Sequence, residues 1–262
     1  MSNFSYEIGS DNIAIIKWDV PDKKFNVLTL EGISEIENIL EKIFENNNLK
    51  GVIISSNKDD FSAGMDLKVL AHLQDQSKNK EEIFQFVMRA HQFLRKIELG
   101  GIDPKTKKGG IPFVWACNGL SAGIATEIGL ACHYRIATDK KNTKIGLPEI
   151  LVGLFPGAGG ATRVSRMLGL MSSAPILMEG RMFSAQKAKA MGLIDKVSNP
   201  LDLINEAKNW ILNVKKEDII KPWDKKGFKI PGGAPYHPNG FMTFVGASAM
   251  IGAKTKNVYP AA

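Results

Sequence analysis

Runs of apolar residues alternate with amphipathic patterns along most of the chain. Continuous β-branched and apolar runs predict strands at residues 13–18, 51–56, 111–117 and 134–137. Between them, apolar residues recur at the three- and four-residue spacing of a half-buried helix; they are Ile33, Ile36, Leu40 and Ile43 in one segment and Ile83, Val87, Ala90, Leu94 and Ile97 in another. A later helix is framed by Ser184 as its N-cap and Gly192 beyond its C-terminus. Alternating strands and helices predict an α/β fold.

The pattern ends after residue 213. Residues 221–240 hold four prolines and four glycines without any periodicity, which is longer than a routine loop inside a compact domain. We therefore expect one domain at residues 1–213, followed by a Pro/Gly-rich linker and a helical tail at residues 214–262.

Composition indicates an ordinary globular protein. The chain has 262 residues, of which 44% are hydrophobic and 23% are charged, enough for one domain with its own core. No apolar run reaches the roughly 18 residues that a membrane span needs, and the N-terminus lacks the layout of a signal peptide. We expect a cytoplasmic protein. Cys117 and Cys132 lie in apolar segments, which predicts buried free thiols rather than a disulfide.

The net charge of +7 leaves two interpretations open. The lysines either form a solvated surface or attract a polyanion, such as a ligand that carries a nucleotide. Nucleic acid is not expected, because no known nucleic-acid module or interleaving of basic and aromatic residues accompanies the charge. The four histidines show no spacing typical of metal ligands, so no metal site is expected.

Two glutamates carry the strongest chemical signal. Glu127 and Glu149 each lie in an apolar, glycine-rich segment, where a carboxylate is costly unless it has a partner or a function. A structural role is open for each: Glu127 could complement a helix dipole, and Glu149 could be a surface turn residue. Together they are typical of an acid and base pair.

A serine nucleophile is the competing hypothesis. Residues 119–123 read GLSAG, which matches the nucleophile-elbow pattern with Ser121 at its centre, between a predicted strand and a predicted helix. A serine hydrolase would also need an acid and then a histidine later in the chain, and His237 is available. His237, however, falls in the Pro/Gly-rich tail.

Five ordered motifs resemble those of the crotonase superfamily, which contains enoyl-CoA hydratases and isomerases. They occupy residues 61–67 (FSAGMDL), 118–127 (NGLSAGIATE), 145–150 (IGLPEI), 153–160 (GLFPGAGG) and 184–194 (SAQKAKAMGLI). The resemblance implies a spiral of ββα units with a helical C-terminal region. The tail resembles the stretch that follows the hydratase module of multifunctional fatty-acid oxidation enzymes, ahead of their dehydrogenase domain, which is absent here.

The resemblance implies that the chain hydrates the 2,3 double bond of a trans-2-enoyl-CoA in fatty-acid β-oxidation. In this scheme Glu127 activates water and Glu149 exchanges a proton with the α-carbon. The backbone N–H groups of Ala63 and Ile124 would form the oxyanion hole for the thioester oxygen. Isomerisation of a 3-enoyl-CoA is the alternative within the same fold.

The resemblance also implies how the substrate is held. The matching substrate-binding positions are Lys24, Phe25, Asp66, Leu67, Gly123 and Gly157. No separate cofactor is expected, since CoA belongs to the thioester substrate. Trimers are typical of the stand-alone enzymes, and a fused or associated dehydrogenase and thiolase of the multifunctional ones.

One departure from the family pattern concerns the second donor of the oxyanion hole. Many members have consecutive glycines where this chain has Ile124 and Ala125. A β-branched residue resists a positive φ. The Ile124 amide can serve only if its backbone keeps ordinary helical angles.

Overall fold

The computed structural model describes residues 2–73, 79–102, 110–234, 236–238, 240–242, 245–246 and 252–253. Within these residues the strands are β1 (Phe4–Ile8), β2 (Ile13–Trp18), β3 (Gly51–Ser56), β4 (Phe113–Cys117), β5 (Ser121–Ala122), β6 (Tyr134–Thr138), β7 (Ile145–Gly146), β8 (Met182–Phe183) and β9 (Lys196–Ser198). The α-helices are α1 (Leu30–Glu45), α2 (Leu67–Leu73), α3 (Lys80–Leu99), α4 (Ile124–Ala131), α5 (Gly160–Leu168), α6 (Leu170–Leu177), α7 (Ala185–Met191) and α8 (Leu203–Asn213). Short 3₁₀ turns follow at Glu149–Val152, Lys216–Ile219 and Pro222–Asp224.

A six-stranded sheet with the order β1-β2-β3-β4-β6-β9 forms the centre of the fold. Only the β1–β2 pair is antiparallel; the other pairs are parallel. Ile13 and Ile15 of β2 belong to a smaller core shared with α8, whereas Ile16 and Trp18 belong to the main core shared with α1, α3 and α4. Because both faces are covered, the parallel strands read as continuous apolar runs.

A second, three-stranded sheet has the order β5-β7-β8 and positions the region of the two glutamates. β5 pairs with β7 in parallel, so Ser121 lies beside Ile145. The chain leaves β5 into α4, which carries Glu127, and leaves β7 into the 3₁₀ turn that begins at Glu149. The segments that carry Glu127 and Glu149, more than twenty residues apart in sequence, therefore start from neighbouring strands.

The structure confirms the main sequence predictions and corrects two. β2 and β3 match the expected strands residue for residue, and α7 has Ser184 as its N-cap and Gly192 at its C-cap. Cys117 and Cys132 are buried free thiols. Strand β1 was not predicted, because exposed polar side chains interrupt the apolar run of this edge strand.

The second correction concerns the expected linker, whose first part is packed on the domain. Ile219 and Lys221 are buried, and Asp224 forms an ion pair with Arg95 of α3. The folded chain thus continues beyond residue 213 to at least residue 224. Most of residues 235–262, where a connection to a dehydrogenase was expected, lie outside the described residues. In the part of the chain that is described, no helix has the length and apolarity to cross a membrane.

Candidate active site

Glu127 lies in the first turn of α4, at the centre of the domain. Its side chain is buried, and the residue is 2% exposed. Oε1 accepts hydrogen bonds from the backbone N–H groups of Ala158 (3.0 Å) and Gly160 (2.7 Å). Burial raises the pKa of Glu127 to about 7, although the two amides and the nearby Arg163 guanidinium each lower it. Such a carboxyl group can exchange a proton near neutral pH.

Gly160 is required for this contact. A Cβ at residue 160 would lie 2.8 Å from Oε1 of Glu127 and 2.9 Å from its Cγ. The neighbouring Gly159 has a φ of 94°, which favours glycine. Gly157 differs from both, because a Cβ there would meet nothing closer than the Phe155 carbonyl oxygen at 3.8 Å. The structure thus gives a steric reason for glycine at 159 and 160, and none at the expected substrate-binding position Gly157.

Glu149 begins the 3₁₀ turn after β7 and lies close enough to Glu127 for their charges to interact. A Cβ on Gly123 would lie 3.1 Å from Oε1 of Glu149, so the carboxyl group lies against the turn that leads into α4. Its Oε2 atom is buried and has no hydrogen-bond partner among the described residues. Burial, and next the charge of Glu127, raise the pKa of Glu149 to about 8.

The backbone at the start of α4 settles the question about Ile124. Gly123 takes the positive φ of 56°, and Ile124 begins the helix with a negative φ. The first N–H groups of a helix have no partner within the helix, and the Ile124 N–H has none elsewhere in the described residues. Its position next to Glu127 makes it available to an oxygen of a ligand.

The expected partner of Ile124 in the oxyanion hole was placed at the wrong residue. The Ala63 N–H donates to the Asn26 carbonyl oxygen at 2.9 Å, so it is not free. Two residues later, the Met65 N–H has no partner among the described residues. Met65 and Ile124 line the same small apolar cavity of about 30 Å³.

The loop geometry explains the shift from Ala63 to Met65. Gly64 adopts a φ of 106°, so the chain turns over between the two amides. Leu28 then bonds to the residues on either side of Met65, donating to the Gly64 oxygen and accepting from the Asp66 N–H. The Met65 amide is left facing away from Leu28. Sequence alone does not reveal this register, because the pairing partner lies more than thirty residues earlier.

The remaining expected substrate-binding residues differ in exposure: Lys24 and Leu67 are exposed, Phe25 is half-buried and Asp66 is buried. Lys24 is exposed, with its Nζ atom 5.3 Å from the centre of the Phe25 ring. Asp66 accepts hydrogen bonds from the Lys23 ammonium and the Lys68 N–H, and these two interactions, with Lys23 the larger, lower its pKa. Leu67 is 79% exposed at the start of α2. Lys24 is thus the more available cation of the pair at 23 and 24.

Ser121 does not have the surroundings of a nucleophile. It is fully buried in β5, and its Oγ atom lies 3.1 Å from the Thr126 hydroxyl. His237 is exposed in the tail and lies against Gly233. Across the described residues, no hydrogen bond joins Ser121 to a histidine or a carboxylate. The geometry around Ser121 therefore gives the serine-hydrolase hypothesis no support. The described residues also contain no cluster of three or more side chains suited to hold a metal ion.

Comparison with known proteins agrees with this arrangement. The model of the enoyl-CoA hydratase/isomerase family matches residues 9–221. The chain belongs to this family. The crystal structure of an enoyl-CoA hydratase from Bacillus anthracis is similar, with a TM-score of 0.71, 26% identity, and coverage of 95% of this chain and 89% of that one. An enoyl-CoA hydratase/isomerase from Xanthobacter autotrophicus Py2 has a TM-score of 0.69 and 20% identity, with coverage of 96% and 84%.

Family membership confirms the crotonase fold that the motifs implied. Four of the five motifs meet around the start of α4: residues 61–67 supply Met65, residues 118–127 and 145–150 supply the two glutamates, and residues 153–160 supply the amides that bind Glu127. The fifth motif forms α7. The family name covers both hydratases and isomerases, so the choice of reaction depends on the site residues.

Proposed function

We propose that the chain is an enoyl-CoA hydratase, which adds water across the 2,3 double bond of a trans-2-enoyl-CoA. The observation that carries this proposal is the presence of two interacting carboxyl groups in unlike surroundings: Glu127 is buried and accepts from two amides, and Glu149 is half-buried with an oxygen left unpartnered within the described residues. Hydration needs a base for the attacking water and an acid for the α-carbon. Two carboxyl groups with raised pKa values, held in different surroundings, are suited to supply both.

The surroundings favour Glu127 as the base. Two amides donate to its Oε1 atom, and hydrogen bonds of this kind stabilise the ionised form. Oε2 is left to accept a hydrogen bond from water. In the reaction the Glu127 carboxylate takes a proton from water while the oxygen forms its bond to the β-carbon.

Glu149 is suited to be the acid. Its pKa of about 8 keeps it protonated at neutral pH, because ionisation would place a second negative charge beside Glu127 in a buried site. It gives its proton to the α-carbon as the double-bond electrons move onto that atom. One proton enters the product at the α-carbon and one leaves the water, so exchange between the two carboxyl groups and solvent restores the starting state.

Two free amides would stabilise the negative charge that develops on the thioester oxygen. These are the Ile124 N–H at the start of α4, where the helix dipole adds to the effect, and the Met65 N–H. Loss of one such donor typically costs about 10²- to 10³-fold in rate. On the outer side of the loops, Lys24 is placed to attract the phosphates of CoA, and the net charge of +7 acts in the same direction.

The test is hydration of crotonoyl-CoA, followed by loss of the absorbance of the conjugated thioester. We expect activity in the wild type and a decrease of about 10²- to 10⁴-fold in Glu149→Gln and in Glu127→Gln. Thr143→Val, which removes a buried hydroxyl that is hydrogen-bonded to Thr138, serves as the control. A 3-enoyl-CoA substrate detects isomerase activity in the same variants. Absence of hydration in the wild type, or full activity in both glutamine variants, would refute the proposal.

A further inference from the structure

A buried ion pair lies behind the candidate active site and has no part in the mechanism proposed above. Glu98 of α3 is 4% exposed and Arg163 of α5 is 6% exposed, and Nε of Arg163 lies 2.9 Å from Oε1 of Glu98. A buried ion pair of this kind is weak evidence for stability, since desolvation of both charges offsets their attraction. A role in the site is therefore worth considering.

Arg163 is connected to Glu127 through a single turn of backbone. Its Nη1 atom donates to the Ala158 carbonyl oxygen at 2.9 Å. The N–H groups of Ala158 and Gly160, in the same turn, donate to Glu127. Arg163 also donates its own N–H to the Gly159 oxygen. The side chain of Arg163 and the start of α5 together orient the two amides that hold the carboxylate.

Glu98 in turn orients Arg163. Its second oxygen accepts from Arg95 at 3.0 Å, and Arg95 makes two further hydrogen bonds to Asp224. The Glu98 backbone oxygen lies 3.1 Å from the Nε2 atom of His133. With these partners the Glu98 carboxylate has little freedom to move, and the guanidinium that it binds is held in one orientation.

The charges around the Glu98–Arg163 pair affect the pKa of Glu127. Arg163 lowers the pKa of Glu127, and thereby counteracts part of the effect of burial. Glu98 is the negative partner of Arg163, and Glu149 is the second carboxyl group beside Glu127. The other charged or titratable groups around the pair, among the described residues, include His91 and Arg95 on α3, Cys132 and His133 before β6, Arg166 on α5, and Lys221 and Asp224 in the packed tail segment.

We propose that Arg163, held by Glu98, is a positioning residue for Glu127: it orients the turn at residues 158–160 and supplies a positive charge that favours the carboxylate form. This inference rests on the proposed hydratase function. It assigns to the pair a role in the reaction that does not require contact with the substrate.

The test compares variants that remove the charge, the geometry or neither. Arg163→Met removes both the charge and the hydrogen-bond geometry. We expect kcat to fall about 10- to 100-fold, as for a misplaced catalytic group. The acid limb of the kcat/KM profile should move to higher pH. Arg163→Lys keeps the charge but cannot reach both Glu98 and the Ala158 oxygen; kcat should fall with the acid limb unmoved. Arg166→Met, one turn later on α5 and exposed, is the matched control and should behave as wild type.

Glu98→Gln distinguishes this role from a purely structural one. It leaves the Arg163 charge uncompensated, so the acid limb should move to lower pH, opposite to Arg163→Met. Circular dichroism establishes which variants are folded. A carboxyl ¹³C NMR titration, with the Glu127 signal assigned by Glu127→Gln, follows the same pKa without substrate.

Opposite shifts in Arg163→Met and Glu98→Gln support the proposal. Wild-type kcat in Arg163→Met, or a Glu127 titration that is the same in every folded variant, overturns it. A wild type that lacks hydratase activity refutes the proposed function instead, and the NMR titration then still decides whether Arg163 controls the ionisation of Glu127.

Discussion

Gly160→Ala is the sharpest perturbation of the candidate site, because it adds one methyl group directly against the proposed base. The new Cβ would lie 2.8 Å from Oε1 of Glu127, 2.9 Å from its Cγ and 3.0 Å from Cβ of Pro156. The Glu127 carboxylate must then move by about half an ångström to regain ordinary contact. The move lengthens the 2.7 Å hydrogen bond from the Gly160 N–H.

Two opposing effects determine the expected change in stability of Gly160→Ala. Alanine at the start of α5 gains up to about 1 kcal/mol in helix propensity, and overpacking of a buried site costs about 1–3 kcal/mol, so the net loss of stability should lie between about 0 and 3 kcal/mol. Catalysis is more sensitive, since a 1 Å misplacement can cost about 10²-fold. We expect kcat for crotonoyl-CoA hydration to fall by about 10- to 100-fold. The acid limb of the pH profile should move to higher pH, because the Gly160 amide lowers the pKa of Glu127.

Gly157→Ala is the matched control for this experiment. A Cβ at residue 157 has its nearest neighbour at 3.8 Å, and the φ of Gly157 is not in the left-handed region. Stability should stay within about 0.5 kcal/mol of wild type, and the acid limb of the pH profile should not move, because a Cβ at residue 157 does not meet Glu127. Both variants are compared by steady-state kinetics and by urea unfolding. Wild-type kcat and an unmoved pH profile in folded Gly160→Ala would refute the reasoning about Glu127.

Three further predictions follow from the same structure. The kcat/KM profile of the wild type should be bell-shaped, with its maximum between about pH 7 and pH 8. It should fall at lower pH as Glu127 gains a proton and at higher pH as Glu149 loses one. A flat profile would contradict the assigned roles. Ser121→Ala should keep hydratase activity within about 2-fold of wild type. It should lose about 1 kcal/mol of stability, because the contact with the Thr126 hydroxyl is lost. Labelling of wild-type Ser121 by a fluorophosphonate would contradict this prediction. Burial lowers the pKa of Lys221 to about 7. Between pH 7 and about pH 9 the unfolded chain therefore binds a proton that the folded chain lacks. The unfolding free energy of wild type should rise with pH over this range, relative to that of Lys221→Met. Urea unfolding at both pH values measures the difference, and parallel behaviour of the two proteins would show that Lys221 is not held neutral.

The parts of the fold that could be predicted are those whose burial is visible in a local pattern. β2 and β3 are covered on both faces, so their apolar runs have the same bounds as the strands. β1 lies at the edge of the sheet, and its exposed polar side chains interrupt the apolar run. The local pattern therefore did not predict this strand. The packed segment around Lys221 was missed for a different reason: its anchors are backbone oxygens of Leu130 and Cys132, which carry no signal in the sequence.

By itself, the sequence determined the alternation of strands and helices, the two glutamates and the motifs that carry them, because these depend on side-chain type and on spacing over a few residues. Only the tertiary structure decided which amides are free, since Met65 replaces Ala63 through a pairing with Leu28 far away in the chain. It also decided that Glu127 is held by the turn at residues 158–160 and that Arg163 is paired with Glu98, 65 residues earlier. The physical reason is that hydrogen bonding and burial at such distances are set by packing. Burial within that packing is also the main cause of the raised pKa values of the two carboxyl groups.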